Sequence, residues 1–355
     1  MLRQFHGNDM LALRRMACER LATKRPSPLA LERLVVPNAG MAKWLRHEVA
    51  ATQGIAAQIA CDSPAVFLRN LAGIVLDPVP RAQTRAWDKD RLELRLVGLL
   101  PDLLARPVFE PVARYLADRR DPCRLYRLSR RLAELFDRYL LWRPDWILAW
   151  EEERRVTGTP EDAHPWQPLL WRALRDAVLA DCPQALHHAA LVRALVTQLG
   201  DGRERKPLPH RVTGFGIGAF TPGLLQILHA LAARIDVALY VFNPCDAYWN
   251  DLVSPREHAR QRVHDPARAA LSDIGNPLLA SWGKLGREQL ALLLAREEAD
   301  PQWVGEAREE SSLLRVLQND ILTLRDQEPP FVPAADDHSV IFAEAHSRLR
   351  EVEVL

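Results

Sequence analysis

The sequence predicts an α/β protein whose parallel sheet is interrupted by an all-helical insertion. Near both ends of the chain, short apolar runs are each followed by a turn and a helical pattern, which is typical of βα units. One run, IDVALYVFNPC (235–245), contains an apolar strand of the kind found in parallel sheets covered on both faces. Residues 88–205 instead show helical patterns separated by prolines. We therefore predict an α/β domain of residues 1–76 and 206–337, with a helical domain of residues 77–205 inserted in it.

Composition narrows the class of protein. The chain has 355 residues, enough for about two domains, and its 48% apolar and 26% charged residues are typical of a globular protein. The net charge of +1 excludes a global basic field, so binding to nucleic acid would need local patches. Five cysteines lie far apart without a CxxC pair, which argues against a zinc site or a disulfide framework. With no signal-peptide pattern and no apolar run of about 18 residues, we expect a cytoplasmic protein without membrane contact.

The first α/β part reads as three strands, each followed by a helix. Capping signals support the helices, because Asp9 and Ser63 are good N-caps and Pro64 suits the first helical position. The predicted elements are a strand at residues 1–5, a helix from Asp9 to about Lys24, a strand at Leu34–Val36, a helix from Met41, a buried strand at Ile55–Ile59, and a helix from Ser63.

The turn at Pro37–Trp44 is where we expect a nucleotide-binding domain to place its phosphate loop. That loop needs the pattern GxxxxGK[ST], whose lysine contacts phosphates and whose hydroxyl contacts Mg²⁺. Here only Gly40 is present, Lys43 comes three residues too late, and Trp44 stands in place of Ser or Thr. The pattern predicts either an NTPase architecture without its chemistry or an ordinary βα turn.

The helical insertion is rich in arginine and aromatic residues. Four arginines are spaced to lie along one helical face and could track phosphates, or they could form a solvated face balanced by nearby acids. The segment Phe136–Trp150 combines aromatics with arginines, which suits base stacking, although most of these rings are better explained as core. The four arginines are Arg120, Arg124, Arg127 and Arg131.

Two glycine-containing segments mark the second α/β part. Gly214–Ala219 follows a strand and fits the dinucleotide pattern GxGxxA, but the next strand ends in Asn-Pro-Cys without the acid that binds ribose. Thr221 and Pro222 then predict a helix start. The segment Asn276–Arg287 predicts either a tight turn near a partner or a helix broken by packing glycines.

No catalytic constellation stands out. The adjacent His187 and His188 are a weak metal pair and are better explained as a surface pair, and the acids Glu351 and Glu353 stand alone. Residues 338–355 read as a strand, a loop and the opening of a helix. We expect them to begin a further domain of a longer protein.

Several segments resemble the RecC family, the gamma subunits of exodeoxyribonuclease V. The most specific are LFDRYLLWRPDW (135–146) and GNPLLASWGKLGR (275–287), and the others occur in the family's order along the chain. These others are MLR and His6, GMAKWL (40–45), GIAAQI (54–59), FNPC (242–245), the segment at 246–251, and REVEVL (350–355).

The resemblance implies a degenerate superfamily 1 helicase fold that has lost ATP binding, with domains called 1A and 1B. It implies a non-catalytic subunit that acts with RecB-like and RecD-like partners, which hold ATP and Mg²⁺. Such a complex unwinds and digests double-stranded DNA ends before recombination. The family's subunit helps to split the duplex, channels single strands, and scans the 3′-ended strand for a Chi sequence.

The resemblance also implies DNA-contacting residues. Leu135, Asp137 and Arg143 match the family's strand channel, and the further candidates are Glu134, Arg138 and Lys43. Pro37, Ala39, Ser63 and Arg69 depart from the family's pattern, so we expect strand passage with an altered sequence preference or none. The alternatives are an active helicase or nuclease of AddB type and a nucleotide-cofactor enzyme that uses Gly214–Ala219.

Overall fold

A computed structural model describes residues 2–23, 25–27, 29–76, 85–117, 121, 123–156, 163–295, 301–325 and 330–355. Its main feature is a six-stranded sheet in which every neighbouring pair is parallel. The strand order is β3-β2-β4-β5-β1-β8. These strands are β1 Leu2–Gly7, β2 Glu32–Val35, β3 Ile59–Asp62, β4 Arg211–Phe215, β5 Asp236–Phe242 and β8 Gln302–Val304, and a separate pair is formed by β6 Leu252–Val253 and β7 Asp273–Ile274. The predicted α/β class with a parallel sheet is confirmed.

Helices form the remaining layers. The helices before β4 are α1 Met10–Ala22, α2 Ala39–Gln53, α3 Pro64–Val75, α4 Lys89–Leu103, α5 Glu110–Leu116, α6 Arg124–Trp142, α7 Pro144–Glu151, α8 Trp166–Asp181 and α9 His188–Asp201, with a 3₁₀ turn at Pro107–Phe109. Those after β4 are α10 Pro222–Ala232, α11 Pro255–His264, α12 Pro266–Ala269, α13 Pro277–Trp282, α14 Lys284–Leu294, α15 Leu313–Leu322 and α16 Arg348–Val354.

The sheet is covered on both faces because successive strand residues point in opposite directions. Leu34 of β2 packs with α1 and α2, whereas its neighbour Val35 packs with α3, α9 and α10. The same alternation separates Ala238 from Val237 and Leu239 along β5. Consequently α2 and α3 lie on opposite faces of the sheet.

The helical segment has a core of its own. The described residues between 85 and 205 contain helices and no strand, and their largest buried rings, Trp171, Trp150 and Phe136, belong to one cluster. Most aromatics of the segment 136–150 are therefore core, as predicted, with only Trp142 exposed among them. The predicted domain boundary near residue 77 lies outside the described residues, and the domain limits stay a prediction.

A small cluster around Trp249 explains the glycines of the segment 276–287. Asn276 caps α13 by accepting from the Leu279 N–H at 3.0 Å. A Cβ on Gly283 would lie 2.9 Å from the Trp249 ring, and one on Gly286 would lie 3.0 Å from it. The glycines are thus needed for packing, as one of the two interpretations predicted.

Two predicted strands are wrong. The strand predicted at Ile55–Ile59 lies instead at Ile59–Asp62, because Gly54 ends α2 in a left-handed conformation and Ile55 is 68% exposed. The charged Asp62 made this segment look unlike an apolar strand in the sequence. Its carboxylate is nevertheless tolerated there because it pairs with Arg33 at 2.8 Å. The strand predicted after residue 338 is absent from the described residues 338–347, where Phe342 is exposed and no residue is paired with another strand. The predicted helix opening there is α16.

Candidate nucleic-acid interface

The longest helix of the helical segment, α6, carries most of the predicted site. Its 19 residues contain no Gly or Pro and are rich in Leu and Arg, which favour helix. Leu132, Phe136 and Leu140 lie on its buried face. The helix ends before Pro144, because the residue preceding a proline is disfavoured in α conformation, and Arg143 accordingly has φ −134° and ψ 54°.

A groove of about 580 Å³ lies where α6 meets α3. One wall is α3, next to the sheet, and the opposite wall combines the end of α6 with the start of α9. The lining is mainly apolar, and it consists of Pro64, Ala65, Leu68, Arg69, Ala72, Gly73, Leu76, Trp87, Asp88, Asp137, Leu140, Leu141, Leu186, His188, Leu191, Thr221 and Leu224. A largely apolar concave surface with a few polar groups is the usual form of a ligand site.

Three polar groups in this groove have unusual surroundings. Within the described residues, Trp87 Nε1 and His188 Nε2 are buried without a hydrogen-bond partner. Burial raises the pKa of the Asp137 carboxyl, and the positive charge of Lys89 offsets only part of this effect. Burial also lowers the pKa of His188, with a further contribution from His187, so this imidazole is neutral at pH 7. Both ring nitrogens are enclosed by the protein, so the groove offers an incoming ligand the charged side chains of its lining, among them Asp137 and Arg69.

The other predicted residues lie around the groove rather than in it. Leu135 is half-buried against the helical core and does not line the groove. Glu134 faces Arg130 at 3.6 Å, and the exposed Arg138 donates from Nε to the Glu134 carbonyl at 3.3 Å. Arg143 is exposed, with its guanidinium 5.4 Å from the centre of the Trp146 ring. Of the predicted residues on α6, Asp137 alone lines the groove.

Lys43 belongs to a different place. It lines a separate depression of about 390 Å³ together with Arg46 and His47. This depression lies on α2, on the opposite face of the sheet from α3. The structure thus does not bring Lys43 and Asp137 together, whereas Arg69, predicted only as a departure from the family's pattern, shares the groove with Asp137.

The predicted row of arginines makes local contacts. Arg124 donates to the Tyr115 carbonyl at 2.6 Å and lies over the Tyr115 ring, and Arg127 pairs with Asp121 at 2.7 Å. Arg131 is exposed, and Arg120 lies outside the described residues. Surface ion pairs of this kind contribute little to stability.

Two helix N-termini that could face a nucleotide phosphate are occupied by side chains of the chain itself. Asn38 Oδ1 accepts from the Met41 N–H at 2.9 Å, at the turn where we expected a phosphate loop. After β1, which lies between β5 and β8 in the sheet, the Asp9 carboxylate accepts from the Leu11 and Ala12 N–H groups at 2.8 and 3.3 Å. The Asn38 amide oxygen competes with a ligand at the N-terminus of α2, and the Asp9 carboxylate places a negative charge at the N-terminus of α1. Neither N-terminus is therefore suited to binding an anion.

The glycine segment 214–219 also differs from a dinucleotide site. Gly216 adopts φ +63° directly after β4, but α10 begins only at Pro222. The Phe220 N–H in this turn donates to Gln289 Oε1 at 2.6 Å. Asp236, the acid of the next strand, lies at its amino end and pairs with Arg3 at 2.7 Å.

The prediction of a surface histidine pair is wrong. His187 is only 3% exposed because its ring serves two partners at once: Nδ1 accepts from the Ala190 N–H at 3.2 Å, and Nε2–H donates to Glu151 at 2.8 Å. Burial raises the pKa of Glu151, but hydrogen bonds from His187 and Trp171 lower it by a larger amount. The net shift of the pKa is therefore downward. No cluster of three or more metal-ligating side chains occurs in the ranges that the structure covers.

Sequence reasoning missed most of the groove. Trp87 carried no local signal, Leu141 was not singled out within the segment 135–146, and His188 was predicted only as part of a surface pair. The groove forms only when five separate segments of the chain meet. In the described part of the chain, no helix combines the length and the apolar composition that crossing a bilayer requires.

Comparison with known proteins identifies the family. The family model described as RecC, N-terminal domain, matches residues 2–324. The RecBCD enzyme subunit RecC of Escherichia coli K12 is 36% identical, and the alignment covers 100% of this chain and 35% of that protein. The Haemophilus influenzae subunit of the same name is 34% identical, with coverages of 92% and 33%, and that of Mycolicibacterium smegmatis is 28% identical, with 94% and 29%. The chain spans about a third of the length of these relatives. It belongs to the RecC family.

Proposed function

We propose that this chain is part of a non-catalytic, DNA-binding subunit of a RecBCD-type helicase–nuclease. The observation that carries the proposal is the groove between α3 and α6, in which a mainly apolar lining surrounds the charged side chains of Asp137 and Arg69. Relatives named RecBCD enzyme subunit RecC supply the context. By that analogy the protein assembles with RecB-like and RecD-like subunits in the repair of double-strand breaks by homologous recombination.

In this proposal the chain supplies channel walls rather than chemistry. The sheet would be a degenerate helicase domain 1A, and the helical segment would be domain 1B. ATP and Mg²⁺ would be held by the partner subunits, which agrees with the occupied helix N-termini at Asp9 and Asn38. The whole protein would help to split the duplex, pass single strands, and scan the 3′-ended strand for a Chi-like sequence.

The groove suits a single strand for stated physical reasons. Its leucines can contact the faces of unstacked bases. Asp137 can accept from a base amino group, while Arg69 in the groove and the exposed Arg143 beside it can contact phosphates. Only the hydrogen bonds to base edges would confer a sequence preference, because contacts with phosphates are the same for every sequence.

The test uses the full-length protein assembled with its RecB-like and RecD-like partners. We compare the wild type with the double variant Asp137→Ala plus Arg143→Ala on a 3′-tailed duplex, recording unwinding and the position of cutting along a set of candidate octamers. A matched control combines Asp102→Ala with Arg154→Ala, which lie in exposed positions outside the groove.

The proposal predicts that the groove variant loses sequence-dependent cutting or slows strand passage, while the control keeps both. If both variants behave as the wild type does, these residues are only scaffold and the site is wrong. If the assembled wild type fails to bind the tailed duplex, the proposed function itself is wrong.

A further inference from the structure

A second charged surface lies far along the chain, on α11. This helix of ten residues buries none of them, so packing does not explain why it forms. The two ends of the helix do explain it. At the start, Ser254 Oγ accepts from the Glu257 N–H at 3.2 Å and Pro255 occupies the first turn. At the end, Arg262 and His264 lie in the last turn, where positive charge is favourable. The caps therefore support this helix, and most of its charged side chains face solvent.

These side chains surround a cavity of about 760 Å³ in which cations outnumber acids. Glu257 is already shared between Lys284 at 3.6 Å and Arg287 at 3.8 Å. Asp265 caps the next helix, α12, by accepting from the Arg268 N–H at 3.1 Å. The cavity is lined by Ser254, Arg256, Glu257, Arg260, Gln261, His264, Asp265, Arg268 and Lys284.

Three guanidinium groups of this cavity are available to a ligand. Within the described residues, Arg256, Arg260 and Arg268 have no acidic partner, and all three are exposed. Arg256 and Arg260 are four residues apart on α11, which places them about 6 Å apart along the helix axis and on the same face. A row of cations at this spacing matches the repeated charges of a phosphodiester backbone better than a single small anion.

An exposed aromatic ring lies close in the sequence to one of the cations of this cavity. Trp282 is 80% exposed and lies two residues before Lys284, which lines the cavity. It contrasts with Trp249 of the same region, which is buried between Gly283 and Gly286. Basic grooves combined with exposed aromatic rings bind single-stranded nucleic acids, because every base can stack on such a ring.

We propose that the surface formed by Arg256, Arg260, Arg268 and Trp282 is a sequence-independent contact for single-stranded nucleic acid. The arginines would hold consecutive phosphates, and Trp282 would stack a base. This contact is distinct from the groove between α3 and α6, with which it shares no residue. It therefore goes beyond the proposed function by adding a second point at which a strand is held.

The test measures binding of a labelled oligothymidine to the full-length protein in its assembled complex at several salt concentrations. Three phosphate contacts contribute a slope of about 2 to the dependence of log K on log salt, at about 0.7 per contact on single strands. We expect the variant Arg256→Gln, Arg260→Gln, Arg268→Gln to lose that part of the slope. The control Arg114→Gln, Arg154→Gln, Arg325→Gln removes three exposed arginines that pair locally and should keep the wild-type slope.

A second measurement needs no charge variant. With 5-iodouridine in the oligonucleotide, light should cross-link the wild-type protein at Trp282, and Trp282→Ala should lose that cross-link while Trp282→Phe keeps part of it. An unchanged salt slope together with no cross-link at Trp282 would overturn the inference. So would a carbodiimide cross-link from Lys284 to an acidic segment of a partner subunit that persists with the oligonucleotide bound. If the oligonucleotide does not bind the complex at all, the proposed function fails as well.

Discussion

Arg211 and Glu32 form a bidentate ion pair, at 2.7 and 2.6 Å, in which both side chains are buried. The pair joins β4 to β2, two adjacent strands that lie on either side of the helical segment in the sequence. Arg25 also reaches Glu32, at 3.1 Å, and Arg211 donates to the carbonyls of Arg20 and Leu21. This network explains how a charged pair is tolerated inside the sheet, since its polar atoms find partners.

Breaking this pair should destabilise the protein strongly. Removing one partner of a buried ion pair leaves an uncompensated charge, which typically costs about 3–5 kcal/mol. We expect Glu32→Gln and Arg211→Met each to lower the free energy of unfolding by about that amount, measured by urea denaturation. Arg3→Gln, which removes an exposed partner of Asp236, should cost less than about 1 kcal/mol. Equal effects of the buried and exposed changes would contradict the account.

The packing of Trp249 gives a prediction about glycine. A methyl group at Gly283 would press on the Trp249 ring at 2.9 Å and on the Leu279 carbonyl, so Gly283→Ala should destabilise the protein by about 1–3 kcal/mol. Gly98 is the matched control, because it lies inside α4 with nothing within 4 Å of an added Cβ. Gly98→Ala should stabilise by about 0.5–1 kcal/mol in the same denaturation measurement. A stabilising Gly283→Ala would show that the ring is not seated there.

Buried His6 should make stability depend on pH. Burial lowers the pKa of His6 to about 4, and its Nε2–H donates to Gln4 Oε1 at 3.1 Å in the neutral form. Below pH 6.5, His6 becomes protonated in the unfolded chain but stays neutral in the folded protein. The free energy of unfolding therefore falls as the pH drops from 6.5 towards 4. The loss over this window is about 3 kcal/mol. His6→Gln should flatten this part of the pH profile, and an unchanged profile would contradict the assignment.

Asp137 should cost the protein stability in the absence of DNA. Because burial raises the pKa of this carboxyl, its charged form is disfavoured in the folded protein. Asp137→Asn should therefore raise the melting temperature at pH 7, and the difference should shrink at acid pH, where the carboxyl is protonated in both states. Asp102→Asn, on the exposed face of α4, should change the melting temperature little. A melting temperature that falls with Asp137→Asn would indicate a structural carboxylate.

The capped helices and the parallel sheet could be predicted from local sequence, and the groove could not. Asp9, Ser63 and Thr221 all cap the helices they were expected to cap, because a cap is decided within four residues. The strand at Ile59–Asp62 was misplaced because a buried Asp62 is satisfied by Arg33, a partner that no local pattern reveals. His187 was taken for a surface residue for the same reason, since Glu151 lies 36 residues away in the sequence.

Site residues show the same limit. The resemblance to the RecC family predicted DNA contacts on α6. Asp137 lines the groove there, whereas Leu135, which lies about 200° around the helix from it, packs in the helical core. Trp87 and His188 enter the groove through tertiary packing alone. A motif therefore located the helix, and the packing of five segments decided which of its side chains line the groove.

The most direct test of the central claim asks which DNA strand touches the groove. The photoreactive residue p-benzoylphenylalanine is placed at position 141, which lines the groove, or at the control position 94, which is exposed on α4. The full-length protein, assembled with its RecB-like and RecD-like partners, is then irradiated while it unwinds a duplex with differently labelled strands. The account predicts cross-links from position 141 to the 3′-ended strand and none from position 94. Cross-links from position 141 to protein alone, during active unwinding, would contradict it.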